Sequence, residues 1–372
     1  MPEIFRALRA LWFKLDPEVS QAMALSILGG AGRIHPFDQY LAEAFRGRLP
    51  VCPVRVMGID FPNPVGLAAG LDKNARAVDG LSALGFGFLE LGTVTPLPQF
   101  DKARKRLFRL KSREALINRM GFNNVGLNNF LRNFSHRHHQ TRVGISIGKN
   151  LETPIEQAAT DYLTCLRAVY GVTDYVAIDI SSPNSTGLFD LQSKHLLGPF
   201  LQILREDQLR LADLHGIYTP LAIKISPDLE QQDIERIAHT LMAHELDAVI
   251  ATNSSQARPE IADNLLAKEL GGLSGRPLME LSTEVVREFN KYLRGSIPII
   301  GCGGIFSADD AWAKFCAGAS LVQIYTGFAY QGSALVQNIV TDLANRAKNS
   351  GTGELAAVLA ALHARIANPV SS

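Results

Sequence analysis

Eight short runs of apolar and β-branched residues recur between residues 64 and 326, and this repetition limits the possible folds more than any other feature. The runs cover residues 64–68, 88–95, 142–148, 175–181, 221–226, 248–253, 298–303 and 321–326. Most intervals between them show helical spacing of apolar residues, as in residues 154–170, 229–244, 282–293 and 308–317. Because parallel strands need such crossovers, the alternation predicts an α/β fold, a (β/α)8 TIM barrel. An open doubly wound sheet is the alternative, but it predicts no phosphate-binding features at the last strands.

Two intervals are too long to hold a helix alone. Residues 96–141 contain a predicted hairpin, with strands at 107–110 and 115–120, and residues 253–281 contain a Gly-rich loop. In TIM barrels the strand C-terminal ends and their loops carry function. We therefore expect both insertions to cover a functional site.

The first 48 residues form a separate helical extension. Ile4, Leu8 and Leu11 repeat at helical spacing, a second segment opens at Pro17 and ends at Gly29-Gly30 and Gly32, and a third starts at Pro36. These helices either pack on the main domain or form a monotopic membrane patch, because basic residues border their aromatic-rich face. The predicted domains are residues 1–48, the extension, and 49–372, the barrel.

Composition excludes several classes of protein. The 37 Lys and Arg residues nearly balance 36 Asp and Glu residues, so the net charge of +1 argues against nucleic-acid binding. The four cysteines have no framework spacing, which indicates reduced thiols in a cytosolic protein. No apolar run is long enough to span a membrane, and Arg6, Arg9 and Lys14 interrupt any signal-peptide core. The sequence predicts a cytoplasmic protein that can still lie on a membrane surface.

Charged and polar residues stand at the ends of the predicted strands. Lys73 follows the first strand, Asp179 lies in the fourth and Lys224 in the fifth. Because unpaired charge inside a barrel is costly, two lysines and a carboxylate converging on one mouth indicate a functional site.

A phosphate site is predicted at the last two strands. Gly303-Gly304 precedes a capped helix start at Ser307, and Tyr325-Thr326-Gly327 follows one strand later. Free backbone N–H groups and a helix N-terminus suit a phosphate, and residues 271–275 could close over it. The phosphate could belong to a substrate or to FMN.

These strand-end motifs resemble those of the class 2 dihydroorotate dehydrogenases, the quinone-reducing, membrane-associated type. The resemblance covers almost the whole chain and rests on residues 66–73 (GLAAGLDK), 92–96 (GTVTP), 118–124 (NRMGFNN), 181–184 (SSPN), 271–278 (GGLSGRPL), 301–305 (GCGGI) and 325–327 (YTG). The N-terminal helices match the class 2 extension, and serine at 182 fits because class 1 enzymes use cysteine as the base.

The resemblance implies oxidation of dihydroorotate to orotate in pyrimidine synthesis, with FMN as cofactor and a quinone as electron acceptor. Ser182 would be the base, working through a relay that involves Ser185, the surroundings of Phe122 and water. The implied substrate contacts are Lys73, Asn118, Arg119, Met120, Gly121, Phe122, Asp179, Asn184 and Asn253. The implied FMN contacts are Ala69, Gly70, Lys73, Thr93, Ser146, Asp179, Lys224, Thr252, Gly275, Gly304, Tyr325 and Thr326.

The resemblance also places the quinone tunnel in the N-terminal helices, with Gln21 and Arg109 at the tunnel. It implies peripheral attachment to the cytoplasmic side of the inner cell membrane, and no metal.

Three departures from the family pattern leave alternatives open. Ser146 and Asp179 stand where the family usually has asparagine, and Gln21 stands where the quinone tunnel usually has histidine. Ionised Asp is an acceptor only, so Asp179 adds charge beside an anionic substrate. The alternatives are a flavin-binding relative with impaired or shifted chemistry and a non-redox phosphate-binding barrel, such as an aldolase or isomerase.

Three other features have simpler interpretations. The histidines at 136, 138 and 139 lack spaced carboxylates, which favours a solvated loop over a metal site. Cys302 is interpreted as barrel packing, and the basic run at 104–109 as a solvated hairpin or a lipid-facing tunnel mouth.

Overall fold

The computed structural model describes residues 13–32, 34, 37–100, 105–137, 141–185 and 187–367. Their strands are β1 (Val54–Val56), β2 (Ile59–Phe61), β3 (Val65–Leu67), β4 (Phe88–Val94), β5 (Leu107–Leu110), β6 (Ala115–Asn118), β7 (Arg142–Ile147), β8 (Tyr175–Asp179), β9 (Leu221–Ile225), β10 (Ala248–Ala251), β11 (Gly272–Gly275), β12 (Ile299–Cys302) and β13 (Ala319–Ile324). Eight of these form a closed parallel barrel in the order β3-β4-β7-β8-β9-β10-β12-β13. The predicted (β/α)8 barrel is confirmed, because β13 pairs back onto β3 and leaves no open edge.

Helices surround the barrel and cover the outer face of its strands. They are α1 (Pro17–Ala31), α2 (Phe37–Phe45), α3 (Val78–Ala83), α4 (Leu127–Ser135), α5 (Ala158–Val169), α6 (Leu197–His215), α7 (Gln231–Ala243), α8 (Met279–Leu293), α9 (Ala308–Cys316), α10 (Thr326–Gln331), α11 (Ser333–Asn349) and α12 (Leu355–Ala367). The four helices expected from apolar spacing correspond to α5, α7, α8 and α9. Their amphipathic faces bury apolar residues such as Leu166, Ile237 and Phe289 against the sheet.

The barrel interior is filled by large side chains opposite glycines. A Cβ atom on Gly66 would lie 2.2 Å from the ring of Phe88, and one on Gly144 would lie 2.1 Å from the ring of Tyr175. Neither glycine could therefore carry a side chain while the neighbouring ring keeps its place. On each pair of adjacent strands, a large ring on one strand occupies the space beside a glycine on the other. These rings fill the barrel interior near the N-terminal ends of the strands.

The two long insertions meet above the barrel as a second sheet. The hairpin β5–β6 pairs Leu110 with Ala115, as the sequence predicts. Strand β11, from the Gly-rich insertion, then adds to β6 with Gly272 opposite Asn118. The resulting order β11-β6-β5 makes a roof over the strand ends.

The first described helix, α1, packs closely on α3. Asp16 caps it by accepting the N–H groups of Glu18 and Val19. The helix runs through Gly29-Gly30 to Ala31, so these two glycines do not end it as predicted, whereas Gly32 caps its C-terminus as predicted. A Cβ on Gly29 would lie 2.6 Å from the carbonyl oxygen of Arg76, which shows that the position serves close packing.

The predicted first N-terminal helix lies outside the described residues, apart from its last positions. Among the helices that the structure describes, none combines the length and the apolar character that crossing a membrane requires.

Candidate active site

A cavity lies at the C-terminal ends of the barrel strands, beneath the second sheet. It brings together residues from all seven of the motifs that the sequence analysis identifies. Its lining includes Ala69, Gly70, Lys73, Thr93, Asn118, Met120, Gly121, Phe122, Asp179, Ser182, Asn184, Lys224, Thr252, Asn253, Gly275, Gly304, Tyr325 and Thr326. Barrel closure explains this convergence, because parallel strands all end at one mouth.

Two of the predicted substrate and FMN contacts lie outside this lining. Ser146 is fully buried behind Thr93, whose Oγ1 lies 2.8 Å from the Ser146 Oγ. The guanidinium of Arg119 forms an ion pair with Glu269 at 2.7 Å and lies over the ring of Phe108. Ser146 therefore positions Thr93, which lines the cavity, and Arg119 connects the two insertions that form the second sheet.

Asp179 contributes a carboxylate to the lining of this cavity. Its Oδ1 accepts hydrogen bonds from the Ser181 N–H at 3.0 Å, from the Ser181 hydroxyl at 2.9 Å and from Asn253 Nδ2 at 3.3 Å. Among the described residues, its Oδ2 has only the longer contact of 3.4 Å with Asn253. Burial raises the pKa of Asp179, although Lys224 and the Ser181 donors partly offset this effect.

Lys73 connects the loop after the first barrel strand, β3, with the segment that follows β6. Its Nζ donates to the carbonyl oxygen of Gly121 at 2.7 Å. Burial and the nearby charge of Arg106 lower the pKa of Lys73 to about 8, against the opposing charges of Asp179 and Glu18. Lys73 is therefore mostly protonated at neutral pH and can attract an anion.

Ser182 follows β8 and is almost completely buried at the cavity wall. Its Oγ accepts from the Asn184 N–H at 3.4 Å, and among the described residues its own proton has no acceptor. The Asn184 side chain donates in turn to Asn118 Oδ1 at 3.1 Å, which connects the loop after β8 with the roof.

Glu90 is a charged site residue that the sequence analysis missed. It is fully buried in β4, and its Oε1 lies 3.4 Å from Nζ of Lys224. Its Oε2 accepts from the Tyr175 hydroxyl at 2.9 Å and from Gln323 Nε2 at 2.7 Å. Burial disfavours the charge on Lys224, but Glu90, together with the smaller effects of Cys302 and Asp179, outweighs that cost and raises the pKa of Lys224 to about 12. The sequence feature that could have identified Glu90 is its position as a single acidic residue inside an otherwise apolar strand.

The Gly-rich end of the cavity has the shape of an anion cradle. Gly304 has φ +78°, and a Cβ there would lie 2.2 Å from the Met279 Cα. Thr326 begins α10, and its hydroxyl lies 2.8 Å from the Ser274 hydroxyl across the cavity. The first N–H groups of a helix have no partner within that helix, so at this end of the cavity they can donate hydrogen bonds to an anionic oxygen.

Comparison with known proteins identifies the family. The family model described as "Dihydroorotate dehydrogenase" matches residues 51–346. The chain belongs to the dihydroorotate dehydrogenase family. The resemblance in the sequence motifs is therefore confirmed.

Relatives in the dihydroorotate dehydrogenase family match nearly end to end. "Dihydroorotate dehydrogenase (quinone)" of Burkholderia multivorans is 52% identical over 336 residues, which are 90% of this chain and 96% of the relative. The protein of the same name from Burkholderia pseudomallei is 50% identical and covers 90% and 97%. The crystal structure of DHODH from Eimeria tenella in complex with ferulenol has 31% identity and a TM-score of 0.83, covering 92% of this chain and 95% of that one.

This dihydroorotate dehydrogenase family member has a second, largely apolar cavity between α1 and the barrel. Its apolar lining includes Phe13, Leu25, Leu28, Leu107 and Phe328. Gln21 and Arg109, the two predicted tunnel residues, also line it. The Arg109 guanidinium donates to the carbonyl oxygen of Phe13 at 3.2 Å, and Gln21 Nε2 donates to that of Leu71 at 3.0 Å.

Tyr325 forms part of the wall of both cavities. Burial raises its pKa to about 12, while Gln21 and Lys224 act in the opposite direction, so its hydroxyl stays protonated at neutral pH. The polar cavity and the apolar cavity are thus separated at this point by one side chain.

Proposed function

We propose that this chain oxidises (S)-dihydroorotate to orotate, with FMN as cofactor, and passes the electrons to a quinone. The observation that carries this proposal is the pair of cavities that share Tyr325. One is polar and contains cationic and amide groups, which suits a flavin and a small anion. The other is apolar, which suits a quinone, and the curated relatives named above carry the word quinone in their names.

The described residues fit FMN. Gln323 Oε1 is buried and has no hydrogen-bond partner among them, although Gln323 lines the cavity. An imide N–H of a flavin ring could satisfy it. The Gly304 cradle leaves room for a phosphate, and Lys224 and Thr252 supply a cation and a hydroxyl along the floor. When bound, FMN would take up the hydride equivalent from the substrate and pass the electrons on.

The roof side of the cavity fits dihydroorotate. Lys73 supplies positive charge for the carboxylate of the substrate, and the amides of Asn118, Asn184 and Asn253 supply donors and acceptors for its ring. Met120, Gly121 and Phe122, which follow β6 in the chain and line the same cavity, would exclude water above the ring.

Ser182 is the proposed base. Its Oγ would take the C5 proton of dihydroorotate as a hydride leaves C6, and the hydroxyl proton would leave through water. The Asn184 N–H at 3.4 Å could stabilise the developing charge on Oγ. Ser185, buried next to it in the same loop, is the proposed relay partner.

Helix α1 is proposed to hold the protein at the membrane surface. Val19, Met23 and Ile27 follow one another at four-residue spacing, and their exposed fractions are 49%, 42% and 59%. An exposed apolar stripe on the helix that covers the apolar cavity would place the mouth of that cavity against lipid, where quinones dissolve. Attachment is peripheral in this proposal, on the cytoplasmic side of the membrane.

The proposed function is tested by the spectrum of the purified protein. We expect flavin absorbance with one FMN per chain, bleaching by dihydroorotate without oxygen, and recovery of the colour on adding a soluble quinone. A protein that takes up no FMN would contradict the whole proposal. Uptake of FMN without bleaching would favour a family relative with shifted chemistry.

A tryptophan at position 24 should separate the two half-reactions. Ala24 lines the apolar cavity, so Ala24→Trp would fill part of the space assigned to the quinone. We expect reoxidation by quinone to slow about tenfold or more, while bleaching by dihydroorotate keeps its rate. Met23→Trp is the matched control, because Met23 lies on the exposed side of α1. Equal quinone kinetics in both variants would move the quinone site elsewhere.

Asparagine at position 179 should improve the use of dihydroorotate. An amide oxygen could accept the three hydrogen bonds that Oδ1 now accepts, and an amide nitrogen would replace Oδ2 and donate into the cavity. We expect Asp179→Asn to raise kcat/KM about tenfold or more, because a donor replaces a charge that repels the substrate. The gain should shrink at pH values low enough to protonate Asp179. An equal or slower Asn variant at neutral pH would show that the carboxylate is adapted to its site.

A further inference from the structure

Lys314 is a buried lysine that the proposed mechanism does not use. It lies on α9, and its side chain is fully buried. Its Nζ lies 2.5 Å from the Ser282 hydroxyl and 2.7 Å from the Thr283 hydroxyl, with the carbonyl oxygen of Met279 at 3.4 Å. Within the described residues no carboxylate forms an ion pair with it. A buried ammonium held by neutral groups alone is costly, so a compensating anion is expected nearby.

The hydrogen bonds of Lys314 lead directly to the Gly-rich cradle. Besides contacting Lys314, the Ser282 Oγ lies 2.7 Å from the carbonyl oxygen of Leu278 and 3.0 Å from that of Gly303. Its single proton can go to one of these oxygens at a time. Gly303 and Gly304 line the cavity, and Gly304 packs on Met279 at the start of α8. The ammonium therefore lies one hydroxyl group behind the wall where the cofactor phosphate is proposed to bind.

We propose that Lys314 is a positioning residue for the cofactor phosphate, which fixes the Gly303–Gly304 turn through Ser282 and places a positive charge behind it. This inference rests on the proposed function, because the phosphate is that of FMN. It assigns the missing counter-anion of Lys314 to the bound cofactor and not to another side chain.

The charge on Lys314 should depend on whether a phosphate is bound. Burial lowers the pKa of Lys314 to about 7, and the charged and titratable groups facing it are Cys302, Asp310 and Arg287. The Asp310 carboxylate accepts from the Phe306 N–H at 2.9 Å. A phosphate dianion would raise the pKa of Lys314, so FMN binding takes up a proton at this site. Affinity for FMN should therefore fall as pH rises above 7, while affinity for riboflavin, which lacks the phosphate, should not respond to this group.

The experiment measures the preference for FMN over riboflavin. Full-length protein is equilibrated with a mixture of both flavins, and the bound ratio is determined after separation from free flavin. Lys314→Met keeps an unbranched side chain, shorter than lysine by the terminal nitrogen, and removes its charge. Ser282 and Thr283 can still donate to the Leu278 and Met279 carbonyls, so we expect this variant to fold.

We expect Lys314→Met to lower the FMN:riboflavin ratio about tenfold or more. The wild-type ratio should fall between pH 7 and pH 9, and the variant ratio should stay flat. The phosphate monoester does not change its charge over this range, because its second pKa is about 6. Lys291→Met, which removes an exposed lysine of α8, should leave the ratio unchanged.

Ser282→Ala keeps the ammonium and breaks its link to Gly303, so we expect a smaller fall in the ratio. It also tests the proposal if Lys314→Met does not fold. A wild-type ratio and pH profile in Lys314→Met, or an unchanged ratio in Ser282→Ala, would overturn the inference. A wild-type protein that does not prefer FMN would instead contradict the proposed phosphate site itself.

Discussion

Replacing Ser182 with alanine is expected to slow reduction of the bound flavin by dihydroorotate roughly 10²-fold or more, with flavin binding unchanged. The hydroxyl is the group at the cavity wall whose position suits proton removal, and alanine removes it without adding volume. The measurement is the single-turnover rate of bleaching without oxygen. In the proposed mechanism the hydride leaves C6 as the proton leaves C5, so loss of the proposed base should lower the rate of this half-reaction and leave reoxidation by quinone unaffected.

The structure also identifies the control for this prediction. Cys302 lines the same cavity and carries a thiol that could compete with Ser182 for the role of base. Burial raises the pKa of its thiol, so it is a poor candidate for a base at neutral pH. Cys302→Ser should therefore bleach at a rate close to that of the wild type. Near-normal bleaching of Ser182→Ala, together with slow bleaching of Cys302→Ser, would transfer the role to Cys302.

The barrel was predictable because each strand can be recognised locally, as a short apolar run, and because these runs alternate with helical segments along the chain. The convergence of Lys73, Ser182 and Lys224 followed from barrel closure alone, because parallel strands bring their C-terminal ends to one mouth. The hairpin β5–β6 was predictable for a similar reason, since its two strands are neighbours in the sequence. Pairing of β11 with β6 was not, because Gly272 and Asn118 are 154 residues apart and neither segment alone specifies its partner.

Placement of individual side chains depended on partners that no motif reveals. Arg119 lies within one of the most specific motifs, yet Glu269, from the other insertion, holds its guanidinium away from the cavity. Gly29 looked like a helix end because glycine often ends helices, but here it permits the close approach of α1 to Arg76. In both cases a distant contact decides the conformation, and local propensity is only a weak guide.

Glu90 could have been identified from the sequence as the partner of Lys224, although no motif marks it. Lys224 was recognised as a charge inside a barrel strand, and a buried charge requires a partner. Glu90 lies in an apolar run, so it was the residue to consider as that partner. Closure of the barrel brings the two together across its interior at 3.4 Å.

Glu90→Gln is expected to lower the free energy of unfolding by roughly 3–5 kcal/mol, because it leaves the ammonium of Lys224 buried without its main counter-charge. The Gln side chain keeps the shape of Glu and can still accept from Tyr175 and Gln323, so the change is chiefly one of charge. Urea unfolding of both proteins measures the difference. Asp60→Asn is the matched control: Asp60 pairs with Arg55 at 3.3 Å on the surface, with both side chains about two-thirds exposed, and its loss should cost less than about 0.5 kcal/mol.

The pH dependence of this loss identifies the group responsible. The pKa of Lys224 is raised from 10.5 to about 12 in the folded protein, so its pairing stabilises the fold fully below pH 10.5 and less as pH rises through 12. The difference between wild type and Glu90→Gln should therefore be largest at neutral pH and shrink only in strongly alkaline solution. If Glu90→Gln unfolds within about 1 kcal/mol of the wild type, Asp179 becomes the counter-charge of Lys224, because the two residues are register partners on β8 and β9. In that case Asp179→Asn would destabilise the protein instead, and the carboxylate that departs from the family pattern would be explained by the barrel and not by the substrate.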